Sequence, residues 1–196
     1  MKRNESHGIS LEKFIKRNGT ICMTPIELAE VCQKKKFVVL VSRNDKENSE
    51  YAAEVCECVK QDNSNDILYF SLKLESEEFK SIHPELTVEE NDTPALSIDE
   101  LENIVKSRNN SSKMSMIVID HLWFMKTRNT YTTRKEEVEE ILSKIKRLVE
   151  QEKITVLALV LLSKYVPNNY LLRKELELYG NFIRWADLIV ESRSEI

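Results

Sequence analysis

Asp120 closes the run Met116-Ile117-Val118-Ile119 and is the residue of this chain best placed to do chemistry. A short apolar run, β-branched in the middle, suits a strand buried on both faces of a sheet. A carboxylate at the C-terminal tip of such a strand lies on the edge where open α/β sheets bind ligands. An acid so placed can hold the Mg²⁺ of a nucleotide. The same pattern arises where an Asp merely caps a strand or turn, so the rest of the chain must supply the other parts of a site.

Two further groupings carry chemical residue types. The four cysteines are Cys22, Cys32, Cys56 and Cys58. Cys56-x-Cys58 lacks a second ligand pair at zinc-like spacing. In a helix, neighbours two apart face different ways, so buried or half-buried free thiols are expected. The stretch 126–134 places Lys126, Arg128 and Arg134 around Tyr131. Basic residues beside an aromatic suit a single-stranded nucleic acid, and equally a solvated loop of mixed charge. The formal net charge of −4 weakens the first of these, because surfaces that grip phosphates usually carry a basic excess.

The elements that must position these residues follow from periodicity. Apolar runs at 37–41, 67–72, 116–119 and 155–162 read as buried strands, with shorter ones at 86–90 and 188–190. Thr24-Pro25 with Glu27 starts a helix over 26–33, which stops at Lys34-Lys35-Lys36. Helices are expected at 50–61, 75–82, 97–107, 135–152 and 171–179. The one at 135–152 shows the clearest 3.6-residue period, in Val138, Ile141, Leu142, Ile145, Leu148 and Val149. Polar loops are expected at 42–49, 109–113, 127–133 and 165–170. Strands alternating with helices give an α/β fold with a mainly parallel sheet.

The chain has 196 residues, enough for one α/β domain with an ordinary core. Residues 1–36 read as an N-terminal arm and helix, and 37–196 as the domain itself. No apolar run reaches the ~18 residues needed to cross a membrane. The N-terminus has no apolar segment after its charges, so no signal peptide is expected and the location is cytoplasmic.

Several motifs in order resemble the C-terminal, RecA-like motor domain of DnaB-type replicative helicases. They are residues 37–42, Phe70-Ser71-Leu72, Asp92-Thr93-Pro94-Ala95-Leu96-Ser97, the Ile-Val-Ile-Asp ending at Asp120, and Leu162-Ser163-Lys164. The resemblance runs from about Phe37 to Val190. It implies a RecA-like P-loop NTPase fold, a mainly parallel sheet sandwiched by helices in three α/β/α layers.

The same resemblance exposes departures. A phosphate-cradling loop needs glycine, a lysine and a Ser or Thr for Mg²⁺. In the corresponding stretch Arg43 and Ser49 match the family, but Glu47 stands in place of the glycine and Asn48 in place of the lysine. Lys73 follows Phe70-Ser71-Leu72 where the family carries the Glu that activates water. Val160-Leu161 replaces a polar pair that senses the γ-phosphate, and Glu177 inverts the sign of a DNA-loop contact. The sequence ends at Ile196, before the strand that bears the family's arginine finger.

These losses together imply a non-catalytic, helicase-like pseudo-ATPase, a binding or regulatory module related to DNA replication. Its expected partners are a DnaB-type helicase or further copies of itself. No cofactor is expected beyond weak Mg²⁺-ATP binding, with Ser49 and Asp120 as the Mg²⁺ candidates. The competing expectations are an ATP-dependent helicase domain with a rearranged site and a single-stranded nucleic-acid binder using Lys126, Arg128 and Arg134. His121 and Trp123 are expected to pack in the core or at its rim.

Overall fold

The inner strands of the sheet send alternate residues to opposite faces, as the two-residue period of a strand requires. A computed structural model describes residues 16–17, 20–62, 66–72, 80–84, 86–90, 96–163 and 172–192. The strands are β1 (Lys16–Arg17), β2 (Thr20–Ile21), β3 (Phe37–Ser42), β4 (Asp66–Ser71), β5 (Thr87–Glu90), β6 (Met114–Asp120), β7 (Thr155–Leu161) and β8 (Leu188–Glu191). They form one sheet in the order β1-β2-β8-β3-β7-β6-β4-β5. All pairings are parallel except β1 with β2.

The helices are α1 (Pro25–Cys32), α2 (Asp45–Asp62), α3 (Ile98–Ser111), α4 (Arg134–Glu152), α5 (Leu172–Tyr179) and α6 (Phe182–Trp185). On one face of the sheet Phe37, Val39, Val41, Ile117, Ile119, Val156 and Ala158 pack with Leu101, Val138, Ile141, Ile145 and Phe182 of α3, α4 and α6. On the other, Val38, Leu40, Met116, Val118, Leu157 and Leu159 pack with Leu28 and Val31 of α1 and Ala52, Val55 and Val59 of α2. Each fully buried Val, Leu, Ile, Phe or Met among them contributes ~1.5–3 kcal/mol of apolar burial. The result is the expected three-layer α/β/α arrangement on a mainly parallel sheet.

Local chemistry sets the helix ends. Thr24 with Glu27, Ser97 with Glu100, and Thr133 with Glu136 each form a reciprocal capping box. Helix α1 ends at Cys32, so the three lysines lie past its last turn, with Lys35 in the left-handed region at φ 57°.

Several elements differ from the sequence expectation. Within the stretch expected to be an arm and helix, β1 and β2 are short strands at the sheet edge. Helix α2 begins at Asp45 rather than at 50, so most of the expected loop 42–49 is helix. Helix α3 runs on to Ser111, into the expected loop 109–113; there the Asn109 amide donates to the Glu152 carbonyl at 3.2 Å and its oxygen accepts from Met114 N–H at 3.4 Å. Helix α6 is additional; four residues are too few to show a period, and Asn181 caps it. The expected helix at 75–82 falls largely outside the described residues, of which 80–82 are helical. The expected loop at 165–170 lies wholly outside them.

Candidate functional site at the strand tips

The C-terminal tips of β4, β6, β7 and β3 lie side by side, with Ser71 paired to Asp120 and Leu161 paired to Ser42. This is the edge at which parallel α/β sheets present ligand-binding groups. Asp120 stands at its centre and is 2% exposed. Ser49 Oγ and Tyr69 Oη both donate to Asp120 Oδ2, each at 2.7 Å. Burial, then the charge and hydrogen bond of Asp120, push the Tyr69 phenol well above its ordinary range, so it stays a donor.

His121 follows on a cis peptide bond and is also buried, so its expected packing at the core or rim holds. Its ring does more than pack: Nε2 contacts Asp45 Oδ1 and lies 3.4 Å from Asp120 Oδ1. Trp123 packs at the rim against Tyr179 and Phe182, and its indole donates to the Leu161 carbonyl at 2.8 Å.

The stretch expected to be a phosphate loop is reduced to Arg43 and Asn44 between β3 and α2. Asn44 N–H donates to Ser42 Oγ at 3.0 Å, and Asn48 N–H donates to the Asn44 carbonyl as part of the first helical turn. Glu47 accepts from the Asn44 amide at 2.6 Å. Asn48 is fully buried, and its side-chain amide has no hydrogen-bond partner among the described residues. Asp45 and Glu47 place two acids in the first turn of α2, where they are favoured by the helix dipole.

Arg43 is engaged by α5 and the end of β7. Its guanidinium pairs with the fully buried Glu175 of α5 at 2.7 Å and also donates to the Ser163 carbonyl, while Ser163 N–H donates to Glu175 at 2.8 Å. Glu175 thus ties the end of β3 to the end of β7. Of the sequence-derived residues, Ser49, Asp120, Asn48 and Glu47 gather near the tip of β6 and the start of α2, and Leu161 ends β7. Lys73 lies outside the described residues, as do residues 91–95 of the Asp92–Ser97 motif.

The three basic residues of the stretch 126–134 differ in their settings. Lys126 and Arg128 are exposed. Arg134 instead donates to the Trp123 and Met125 carbonyls, both at 2.8 Å, and pairs with Glu137. Glu177 is exposed, and its carbonyl accepts from Lys135 Nζ. The four cysteines carry no disulfide, and burial pushes the Cys32 thiol up to about 12. No described helix is long and apolar enough to cross a membrane.

Sequence reasoning misses Tyr69, Asp45 and Glu175. Asp45 falls in an expected loop, and only its four-residue spacing to Ser49 on a helix hints at a shared face.

The family of DnaB-like helicase C-terminal domains matches residues 81–173. No curated protein matches the sequence. Among solved structures, one ATPase domain superposes with a TM-score of 0.64 at 14% identity, covering 80% of this chain and 69% of that one. A DnaB-like replicative helicase, described with its interactions with primase, gives 0.68 at 15% identity, covering 81% of this chain and 48% of its own. The KaiC-like protein PH0186 from Pyrococcus horikoshii OT3 gives 0.57 at 11% identity, covering 81% and 72%. At these identities the structural likeness establishes the fold, a RecA-like domain.

Proposed function

We propose that this chain, a DnaB-type RecA-like domain by family match and fold, is a non-catalytic member that works by binding rather than by ATP turnover. The observation that carries the reading is the start of α2. A phosphate cradle needs free backbone N–H groups and a lysine. Here Asn48 N–H is spent inside the helix, two acids occupy the first turn, and buried Asn48 stands where the lysine would be. Those residues do not fit a triphosphate. Arg43, the cation that the stretch keeps from the family pattern, is paired with Glu175.

The partners this reading implies are a DnaB-type helicase subunit or a second copy of the chain, joined through the subunit faces of the fold. The role is a regulatory one related to DNA replication. The test is purified protein with Mg²⁺-ATP and single-stranded DNA, assayed for phosphate release and, separately, for association with a DnaB-type helicase by sedimentation. No turnover together with association is the expected result. Turnover that Asp120→Ala and Ser49→Ala each abolish would overturn it.

A further inference from the structure

We infer that Asp45, Asp120 and His121 form a binding site for a divalent transition-metal ion such as Mn²⁺, Co²⁺ or Zn²⁺. Each residue offers one ligand atom, and the three atoms lie within 4.8 Å of one another. They come from the first turn of α2, the tip of β6 and the residue after it. His121 Nε2 faces both carboxylates, touching Asp45 Oδ1 and lying 3.4 Å from Asp120 Oδ1. One ring nitrogen carries at most one proton, so it cannot donate fully to two carboxylates at once. A divalent cation among the three would take both carboxylate oxygens and the nitrogen lone pair as ligands together.

The surroundings are those of a built site. Ser49 Oγ and Tyr69 Oη hold Asp120 by Oδ2, and its Oδ1 is the oxygen nearer the imidazole. Outer hydrogen bonds of this kind orient metal ligands. Asp120 and His121 are 2% and 3% exposed. The Asp45 side chain is 48% exposed and leaves an open side for an ion to enter and keep a water. The buried His121 ring aims Nε2 into the cluster, and its Nδ1 has no partner among the described residues. Asn48, between Asp45 and Ser49 on α2, also keeps a fully buried, unsatisfied amide.

The donor set selects the ion. Mg²⁺ prefers oxygen ligands and octahedral water. An imidazole with two carboxylates favours the transition series, with affinity rising from Mn²⁺ to Co²⁺ and beyond. The site needs no phosphate and stands whether or not the chain turns over ATP.

The full chain titrated with Mn²⁺, followed by electron paramagnetic resonance, and with Co²⁺, followed by visible absorption, tests the site. Circular dichroism checks that the Asp45→Asn and His121→Gln variants fold. One-to-one binding that each variant weakens by ~10-fold or more, with Mg²⁺ a poor competitor, is the expected result. No saturable binding up to millimolar metal overturns the inference. Binding equal to wild type in either folded variant, as free thiols would give, overturns it too.

Discussion

Arg43 and Glu175, 132 residues apart in sequence, meet at 2.7 Å, with the Glu175 side chain fully buried and that of Arg43 25% exposed. The pair joins the exit of β3 to helix α5, and Glu175 also accepts from Ser163 N–H at 2.8 Å beyond the end of β7. Breaking a buried pair by removing one partner leaves the other charge uncompensated. Because Arg43 keeps some access to water, the cost falls below that of a fully buried pair. Glu175→Ala is expected to lose about 2 kcal/mol, read as a lower urea midpoint. The double variant Arg43→Ala/Glu175→Ala should lose less than the sum of the two singles.

Ser49 and Tyr69 share one oxygen of Asp120, so their contributions are coupled. Removing either hydroxyl takes a charge-assisted donor from a buried carboxylate. Ser49→Ala and Tyr69→Phe are each expected to cost about 1.5–3 kcal/mol. The double variant should deviate from additivity by ~0.5 kcal/mol or more, measured by denaturant unfolding. Strictly additive losses would mean that the two hydroxyls act on Asp120 independently.

Asp187 ties the sheet to α4. It accepts from Phe37 N–H and from Lys146 Nζ, at 2.8 and 2.7 Å. Burial alone would raise its pKa, but these hydrogen bonds and the Lys146 charge outweigh it and hold the carboxyl below its ordinary value. A carboxyl lowered in the folded state stabilises the fold above the unfolded value of about 3.9. That contribution is lost as pH falls through the unfolded and then the folded pKa. Asp187→Asn is therefore expected to be less stable than wild type near pH 6, with the gap closing below about pH 4. Thermal melts across that range measure it, and a gap that widened in acid would contradict the assignment.

Much of the sheet was legible because its chemistry is local. The apolar runs of β3, β6 and β7 declare strands buried on both faces, and the Thr24-Pro25-x-Glu27 pattern declares the start of α1. The early start of α2 was not legible, since Asp45 to Glu50 carry no apolar residue with which to show a period. The helix there is fixed by what packs behind it, with Asn48 and Ser49 buried against the sheet. Asp120 was legible as a strand-tip acid. Of its neighbours, Ser49 was legible through the family resemblance; Tyr69 and Asp45 were not, because they sit on a separate strand and a separate helix that only the sheet order brings to it. Glu175 was hidden for the same reason, being one acid among many in a helix whose burial depends on a distant arginine.

Arg134 separates a structural role from a nucleic-acid role. Its guanidinium donates to two carbonyls, Trp123 and Met125, and so fixes the turn that follows β6. The same turn is held by main-chain bonds from Lys126 N–H to the Leu96 carbonyl and from Ile98 N–H to the Lys126 carbonyl. A lysine keeps the charge but not the planar fork that reaches both oxygens. Arg134→Lys is expected to destabilise the fold by about 1–2 kcal/mol while leaving the charge count unchanged. Any affinity for single-stranded DNA at low salt should then survive Arg134→Lys and fall with Arg128→Ala, whose side chain is exposed. Wild-type stability in Arg134→Lys, measured by urea unfolding, would remove the turn-fixing role and return Arg134 to the exposed basic surface.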